Sequence, residues 1–257
     1  MWLPTEIVEN VDGKFLVLPN DGIGGHLKSG RRWEPHFTHI VQSLAAQGVA
    51  KIQGTFALDI GANMGCNTVS LARAVSPSGM VVSCEPLRIP YQLLCANAML
   101  NGLFNVLAFN NAIGAADGAL VQMQPVNYFA SSINIGDTAV GTGGETVQLR
   151  TVDSFQLPNI SFIKLDIQGS ETAALQGARA TVQRCRPLLF VEIEEVQLKK
   201  CGSTTEELLK LLFELGYILI HIKNDYPVDF LCVPAEQEDK VEYYRGLIEG
   251  PVTIIRP

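Results

Sequence analysis

The chain has 257 residues, 47% of them hydrophobic and 18% charged, with 19 Lys and Arg against 26 Asp and Glu for a formal charge of −7. This excludes a disordered chain and a generally basic protein that coats nucleic acid, and the length accommodates one large α/β unit. No basic stretch followed by an apolar run opens the sequence, and no run of about 18 apolar residues is available to span a bilayer.

In chain order, Ile7–Val17 is interrupted by Val11-Asp12-Gly13, a hairpin signal, and the Gly-rich stretch Asp21–Gly30 reads as a loop. Phe37, Ile40, Val41 and Leu44 recur at i, i+3, i+4 and i+7, which predicts a helix. Residues 1–50 are therefore expected to form a hairpin and a capping helix, and residues 51–257 the main domain. From Thr55 onward, short β-branched runs alternate with amphipathic stretches, the pattern of a parallel sheet covered by helices. The predicted strands are Phe56–Ile60, Met80–Cys84, Val106–Asn110, Phe162–Asp166 and Leu188–Ile193, with helices over Asn67–Val75, Pro90–Asn101 and Glu171–Arg184. Gly114–Thr151 is too long for an ordinary loop and holds two strand-like pieces, Ala119–Met123 and Thr146–Leu149, suited either to shaping a substrate site or to a lid. Ser203 with Glu206 forms a capping box opening the helix Thr204–Leu215. Tyr217–Ile222 and Asp229–Val233, separated by Asn224-Asp225 and Pro227, read as two antiparallel strands, for a sheet of about seven.

The cysteines Cys66, Cys84, Cys95, Cys185, Cys201 and Cys232 form no C-x-x-C pair, so reduced core thiols in a cytoplasm-like compartment are expected rather than a disulfide framework. The string Leu58-Asp59-Ile60-Gly61-Ala62-Asn63-Met64-Gly65-Cys66-Asn67-Thr68 carries a strand into a helix through two glycines. Gly61 removes the Cβ where a ligand approaches the backbone, Gly65 lets the helix begin close to the strand, and the free amides suit a phosphate or carboxylate. The spacing is D-x-G-x-x-x-G, which disfavours both the dinucleotide fingerprint and a P-loop. Glu85 ends the second predicted strand, where an acid can accept both hydroxyls of a ribose.

At the end of the fourth predicted strand, alternation puts Lys164 and Asp166 on one face, and Glu171 returns in the first turn of the next helix. These charges suit orienting a hydroxyl, taking its proton or holding a cation; equally, Glu171 suits the helix dipole and Lys164 a simple pair with Asp166. Glu192, at the end of the fifth predicted strand, is a second acid nearby. The histidines His26, His36, His39 and His221 give no metal spacing. His26 lies in the Gly-rich loop, where it can overhang a site, and beside it Lys28, Arg31 and Arg32 form a basic cluster suited to a phosphate or to solvent.

With LDIGANMGCNT, SCEPL, LCANAMLNGL, NNAIG, TVDSF, IKLDIQGSE and RPLLFVEIE in this order, the chain resembles the FkbM family of S-adenosylmethionine-dependent methyltransferases from about Glu34 to Glu192. The resemblance implies a doubly wound, mostly parallel seven-stranded Rossmann-like sheet with an antiparallel last strand. It implies S-adenosylmethionine as cofactor, with Asp59, Gly61, Asn63 and Gly65 bordering its methionine and ribose portions, Glu85 the ribose hydroxyls, and Asn111 to Ala112 the adenine. Asn67, Glu34 and Asp166 join them on the cofactor side, Glu34 closing over it. Lys164, Asp166, Glu171 and His26 are the candidate catalytic residues, with Asp166 first as base. The implied acceptor is a hydroxyl of a small molecule or glycan, most typically a sugar, with no nucleic acid expected; a divalent metal stays open. Gln168 departs from the family's K-x-D-x-E-G-x-E by replacing an acid. Rival readings are RNA or protein methylation, a non-catalytic protein of the same fold, and a nicotinamide-dependent oxidoreductase.

Overall fold

The computed structural model describes residues 2–47, 52–223 and 228–257. Two short strands, β1 (Glu6–Asn10) and β2 (Gly13–Val17), form the expected hairpin. The stretch read as a Gly-rich loop contains a helix, α1 (Gly22–Lys28): Asp21 caps it by accepting from the amides of Ile23 and Gly24, and Ile23 and Leu27 bury its inner face. A cap and two apolar anchors thus offset the poor helix propensity of glycine. The helix α2 (Pro35–Gln47) follows as expected, buried through Phe37, Ile40, Val41 and Leu44. The expected boundary between residues 50 and 51 lies outside the described residues.

The central unit alternates β3 (Phe56–Ile60), α3 (Cys66–Val75), β4 (Met80–Cys84), α4 (Arg88–Leu100) and β5 (Val106–Phe109). Three small strands, β6 (Ala112–Ile113) just ahead of the 114–151 insertion and β7 (Leu120–Gln122) and β8 (Thr146–Arg150) within it, form a separate sheet. The main sheet resumes with β9 (Ile160–Leu165). Next come helices α5 (Glu171–Gln176) and α6 (Arg179–Cys185), where a single helix is predicted. The break has a cause: the Asp153 carboxylate caps the second helix through the amides of Ala180 and Thr181, and Gly177 packs against the backbone of Gly114. After β10 (Leu188–Glu192) come α7 (Glu195–Lys200), not foreseen, and α8 (Thr205–Glu214). The cap of α8 is Thr204, which accepts from the Glu207 amide, one residue later than the predicted Ser203 and Glu206; Ser203 instead donates to the Glu207 side chain. The chain ends with β11 (Tyr217–Ile222), β12 (Asp229–Pro234), α9 (Val241–Gly246) and β13 (Val252–Ile255). The predicted turn at Asn224-Asp225 and Pro227 lies outside the described residues.

The main sheet has eight strands in the order β13-β11-β12-β10-β9-β3-β4-β5, not seven. The additional strand, β13, is a four-residue edge piece held between Pro251 and Pro257, and it pairs antiparallel to β11. Strands β5, β4, β3, β9 and β10 are mutually parallel, and β12 enters antiparallel between β10 and β11. Alternation sends Leu58 and Val82 into one apolar layer with α5, α6 and α8, and Ala57 and Val81 into another with α2, α3 and α9. The sheet is therefore covered on both faces, as the near-continuous apolar strands require.

A third apolar cluster joins the hairpin to α1, α4 and Ile135 of the insertion. Its polar tie is Asn97, fully buried, whose amide oxygen accepts from the Leu16 amide at 2.6 Å while its NH2 donates to the carbonyls of Leu16 at 3.2 Å and Met64 at 2.8 Å. Asn97→Ala strands one buried and two half-buried backbone groups, so a loss of about 3 kcal/mol in urea denaturation is expected. A loss under about 1 kcal/mol would show that the hairpin docks without this tie.

Candidate active site

The turn from β3 into α3 is compressed into the left-handed region at Gly61 (φ 84), Asn63 (φ 49) and Gly65 (φ 89). A Cβ on Gly61 would lie 1.8 Å from the carbonyl oxygen of Asp166, so glycine is what lets the ends of β3 and β9 meet. A Cβ on Gly65 would press on Leu94 of α4 at 2.8 Å. Above these strand ends opens a cavity of about 580 Å³, in the size range of small-molecule sites and at the carboxyl ends of a parallel sheet, where such folds bind ligands.

The half over β4 and β5 combines Glu85, Asn63, Asn111 and Ala112 with the apolar Ile113, Met123 and Val140. The carboxylate of Glu85 accepts from the amides of Leu87 and Asn63, both at 2.9 Å. Burial nonetheless pushes it up to about 7, against the pull of those two amides. Asn111 is fixed by donating to the Gln148 carbonyl at 3.1 Å.

The half over β9, β10 and β12 is charged. Lys164, only 2% exposed, lies 2.8 Å from Asp166. Burial alone would lower the lysine, but Asp166, Glu34 and Asp59 hold it above its usual range, so it is a cation. Burial pushes Asp166 up, yet Lys164 and the hydrogen bond from Gln168 bring it below the ordinary carboxylate range, so it is an anion. The Gln168 amide donates to Asp166 at 3.1 Å and to Glu192 at 2.9 Å, from a backbone with φ 54 that an L side chain seldom adopts. Burial, then the charge of Asp166, pushes Glu192 up to about 11. One carboxylate and one carboxylic acid thus stand side by side.

Trp33 and Asn67 donate to Glu34 at 3.0 and 2.8 Å, holding that acid over the start of α3; burial raises it, against the pull of Lys164. His36 pairs with Asp229 at 2.7 Å. The insertion supplies the roof: Asn134 to Thr138 line the cavity, Ile135 donates to Asp21 beneath α1, and Asp137 accepts from Gln197 of α7 at 2.6 Å.

Of the residues singled out from the sequence, Glu34, Gly61, Asn63, Asn67, Glu85, Asn111, Ala112, Lys164 and Asp166 line this cavity, and Glu192 joins them. Asp59, Gly65, Glu171 and His26 do not. Asp59 faces α3 one layer below, accepting from Thr68 at 2.5 Å, with its other oxygen unpartnered. His26 contacts the Arg32 carbonyl at 2.7 Å and meets Trp33 edge-on, holding the loop that carries Glu34. Lys28 pairs with Glu6 and Arg32 with Asp12, away from the cavity. No sequence signal marks His36, Trp33 or Asp229 as cavity residues, whereas the insertion, expected to shape a substrate site or form a lid, lines the cavity as its roof. No spacing rule marks residues that reach the cavity from distant segments; the register pairing Asp229 with Glu192 brings one of them there. Among the described residues, no three His, Cys, Asp or Glu side chains form a group that could hold a metal ion.

Glu171 works on the turn. It accepts from the amides of Ile167 at 2.9 Å and Gly169 at 3.2 Å, with its second oxygen buried and unpartnered. Burial pushes it up to about 7 from an ordinary 4.5. An acid raised on folding lends stability below its unfolded pKa and loses it as pH rises through the folded one. Glu171→Gln is therefore expected to gain stability over the parent at pH 8, by up to about 3 kcal/mol, and none at pH 4.5. Urea denaturation at both pH values checks this; an equal effect at each would mean that Glu171 does not titrate in this window.

A family model described as the methyltransferase FkbM domain matches residues 59–219, more than half of the chain. An FkbM methyltransferase structure from Methylobacillus flagellatus is similar at 21% identity and a TM-score of 0.46, over 68% of this chain and 42% of that one. This chain therefore spans less than half the length of that relative. An S-adenosylmethionine-dependent O-methyltransferase from Thermotoga maritima is similar at 16% identity, covering 90% of this chain and 78% of that one, with a TM-score of 0.46. A protein described as a putative rRNA methylase from Clostridium thermocellum is similar at 12% identity, over 70% and 86% of the two chains, with a TM-score of 0.44. No functionally curated protein matches the sequence.

Proposed function

The chain belongs to the FkbM family of S-adenosylmethionine-dependent methyltransferases, and from that premise we propose that it methylates a hydroxyl oxygen of a small molecule or glycan, a sugar first among them. The observation that carries this reading is Asp166, an ionised carboxylate fixed by Lys164 and Gln168 at the end of β9, inside a cavity of small-molecule size.

The residues present fit the cofactor. Glu85 retains carboxylate lone pairs beyond the two that its backbone donors use, which suits ribose hydroxyls. Ile113, Met123 and Val140 offer an apolar slot for a planar base beside Asn111 and Ala112. Asn67, 6% exposed, has a side-chain carbonyl with no donor, beside Glu34, which suits an ammonium group. When bound, S-adenosylmethionine supplies a methyl carbon already activated by a sulfonium leaving group. The chain's own contribution is alignment: it holds the acceptor oxygen in line and excludes water. As the new carbon–oxygen bond forms and the carbon–sulfur bond breaks toward sulfur, the hydroxyl proton becomes strongly acidic. A weak base such as Asp166 then suffices to accept it.

An RNA acceptor suits the site poorly, because the charged half repels a phosphate backbone. No helix among the described residues is long and apolar enough to cross a membrane. The free cysteines support a reducing, cytoplasm-like compartment. The test is incubation with methyl-labelled S-adenosylmethionine and separate pools of sugars, RNA and protein. Label on oxygen of a sugar or other small hydroxyl compound is expected; label confined to RNA or protein would overturn the reading.

A further inference from the structure

The parallel register of β3 and β9 sets Asp59 directly beside Lys164, and alternation sends both side chains to the face covered by α2 and α3, as it does Ala57 and Phe162. Adjacent strands lie about 4.8 Å apart, so the two groups share one buried strip. Asp59 is fully buried, yet only one of its oxygens has a partner, the Thr68 hydroxyl, and Oδ1 has none. An acid that merely anchored α3 would not need a second oxygen desolvated without a donor. Lys164 has three N–H donors, and Asp166 accepts one of them. Burial pushes Asp59 up, against the pull of Lys164 and of Thr68, so any closer approach of the ammonium favours its ionised form. Glu34 faces the same ammonium, but Trp33 and Asn67 already donate to its two oxygens.

Resting on the reading of Asp166 as the base, we infer that Asp59 is a positioning residue, the reserve counter-ion onto which the Lys164 ammonium turns when Asp166 takes the acceptor's proton. In that step the O–H bond breaks, its electron pair stays on the acceptor oxygen, and the proton neutralises Asp166. Lys164 is then a buried cation beside a neutral acid. With no other anion in reach it would favour ionised Asp166 and so oppose the transfer. Asp59 Oδ1 supplies that anion within the same strip, and the positive charge is matched before and after the step. Once Asp166, whose side chain is 24% exposed, yields the proton to water, the ammonium returns to it.

The test is the crystal structure of the full chain carrying Asp166→Asn, with S-adenosylhomocysteine, in which the amide stands for the protonated acid. Nζ of Lys164 is expected within about 3.2 Å of Asp59 Oδ1. In parallel, Asp59→Asn is expected to lower kcat about tenfold on the hydroxyl compound that takes label from S-adenosylmethionine, the equivalent of one pKa unit in the base, while affinity for S-adenosylhomocysteine stays within about twofold of the parent. Should Asp59→Asn not fold, Thr68→Val, which removes only the hydroxyl on Oδ2, gives the same comparison with a smaller fall in kcat. A lysine that stays on the amide of Asp166→Asn, or turns to Glu34 alone, would overturn the inference. So would a loss of cofactor affinity in step with kcat, the result that an anchor for α3 predicts. Failure of the parent to methylate any hydroxyl compound would overturn the reading of function instead, and the place of Lys164 in Asp166→Asn would still decide whether Asp59 is its second counter-ion.

Discussion

Gly61→Ala is expected to destabilise the protein by about 3 kcal/mol or more and to abolish binding of S-adenosylhomocysteine even in the fraction that stays folded. Two costs combine. At φ 84 an alanine carries left-handed strain of about 1–2 kcal/mol. Its Cβ would also stand 1.8 Å from the Asp166 carbonyl oxygen, a backbone atom that cannot rotate away. That oxygen belongs to a residue whose amide donates to Ile60 at 3.1 Å, so relief requires β3 and β9 to part where they form the cavity floor. The displacement carries the Asp166 carboxylate with it, and with it Lys164 and Gln168. Urea denaturation and calorimetric titration with S-adenosylhomocysteine read the two effects. Parental stability together with parental affinity would show that the close approach of the two strand ends is dispensable.

The sequence signals fared according to how local their causes are. The string from Leu58 to Thr68 specifies its own turn through glycines in a fixed frame, and the parallel strands were legible because burial on both faces leaves continuous apolar runs. Elements set by tertiary partners were not. The break between α5 and α6 depends on Asp153, 27 residues upstream of the amide it caps at Ala180. The helix α1 depends on Asp21 and on apolar partners in the hairpin, so glycine content alone misread it. The cap of α8 fell one residue away, because Ser203 is drawn to Thr172 and Glu207.

The same division runs through the site. Glu85, Lys164 and Asp166 stand at strand ends, where alternation and topology place them. His36, Asp229 and the roof of the insertion arrive through packing between segments up to 193 residues apart. Asp59 shows the limit of a motif: its carboxylate, one residue away from the cavity face of β3, is spent on Thr68 and α3.

Asp166→Asn is the substitution expected to cost most in catalysis, with kcat falling by about 10² to 10⁴. The amide keeps the shape of the carboxylate but cannot accept a proton, so the alcohol must lose it to water or to another group. The neighbours then determine what activity is left. Lys164 loses the anion that pairs with it at 2.8 Å, and breaking a buried pair on one side costs about 3–5 kcal/mol of stability, a figure that Glu34 and Asp59 reduce by facing the same cation. Glu192 loses the negative charge that, after burial, does most to keep it protonated. Its pKa should fall below about 11, so that more of it ionises as pH rises and it serves as a poorer-placed base. The residual rate of Asp166→Asn should therefore rise with pH along the titration of Glu192, and Asp166→Asn combined with Glu192→Gln should lose that rise. A purely structural role for Asp166 predicts something different: a pH-independent loss that tracks stability and is matched by lost affinity for S-adenosylhomocysteine. The comparison of kcat, cofactor affinity and pH profile in the two variants separates the two cases, because only a proton acceptor passes its task to the next acid in the cavity.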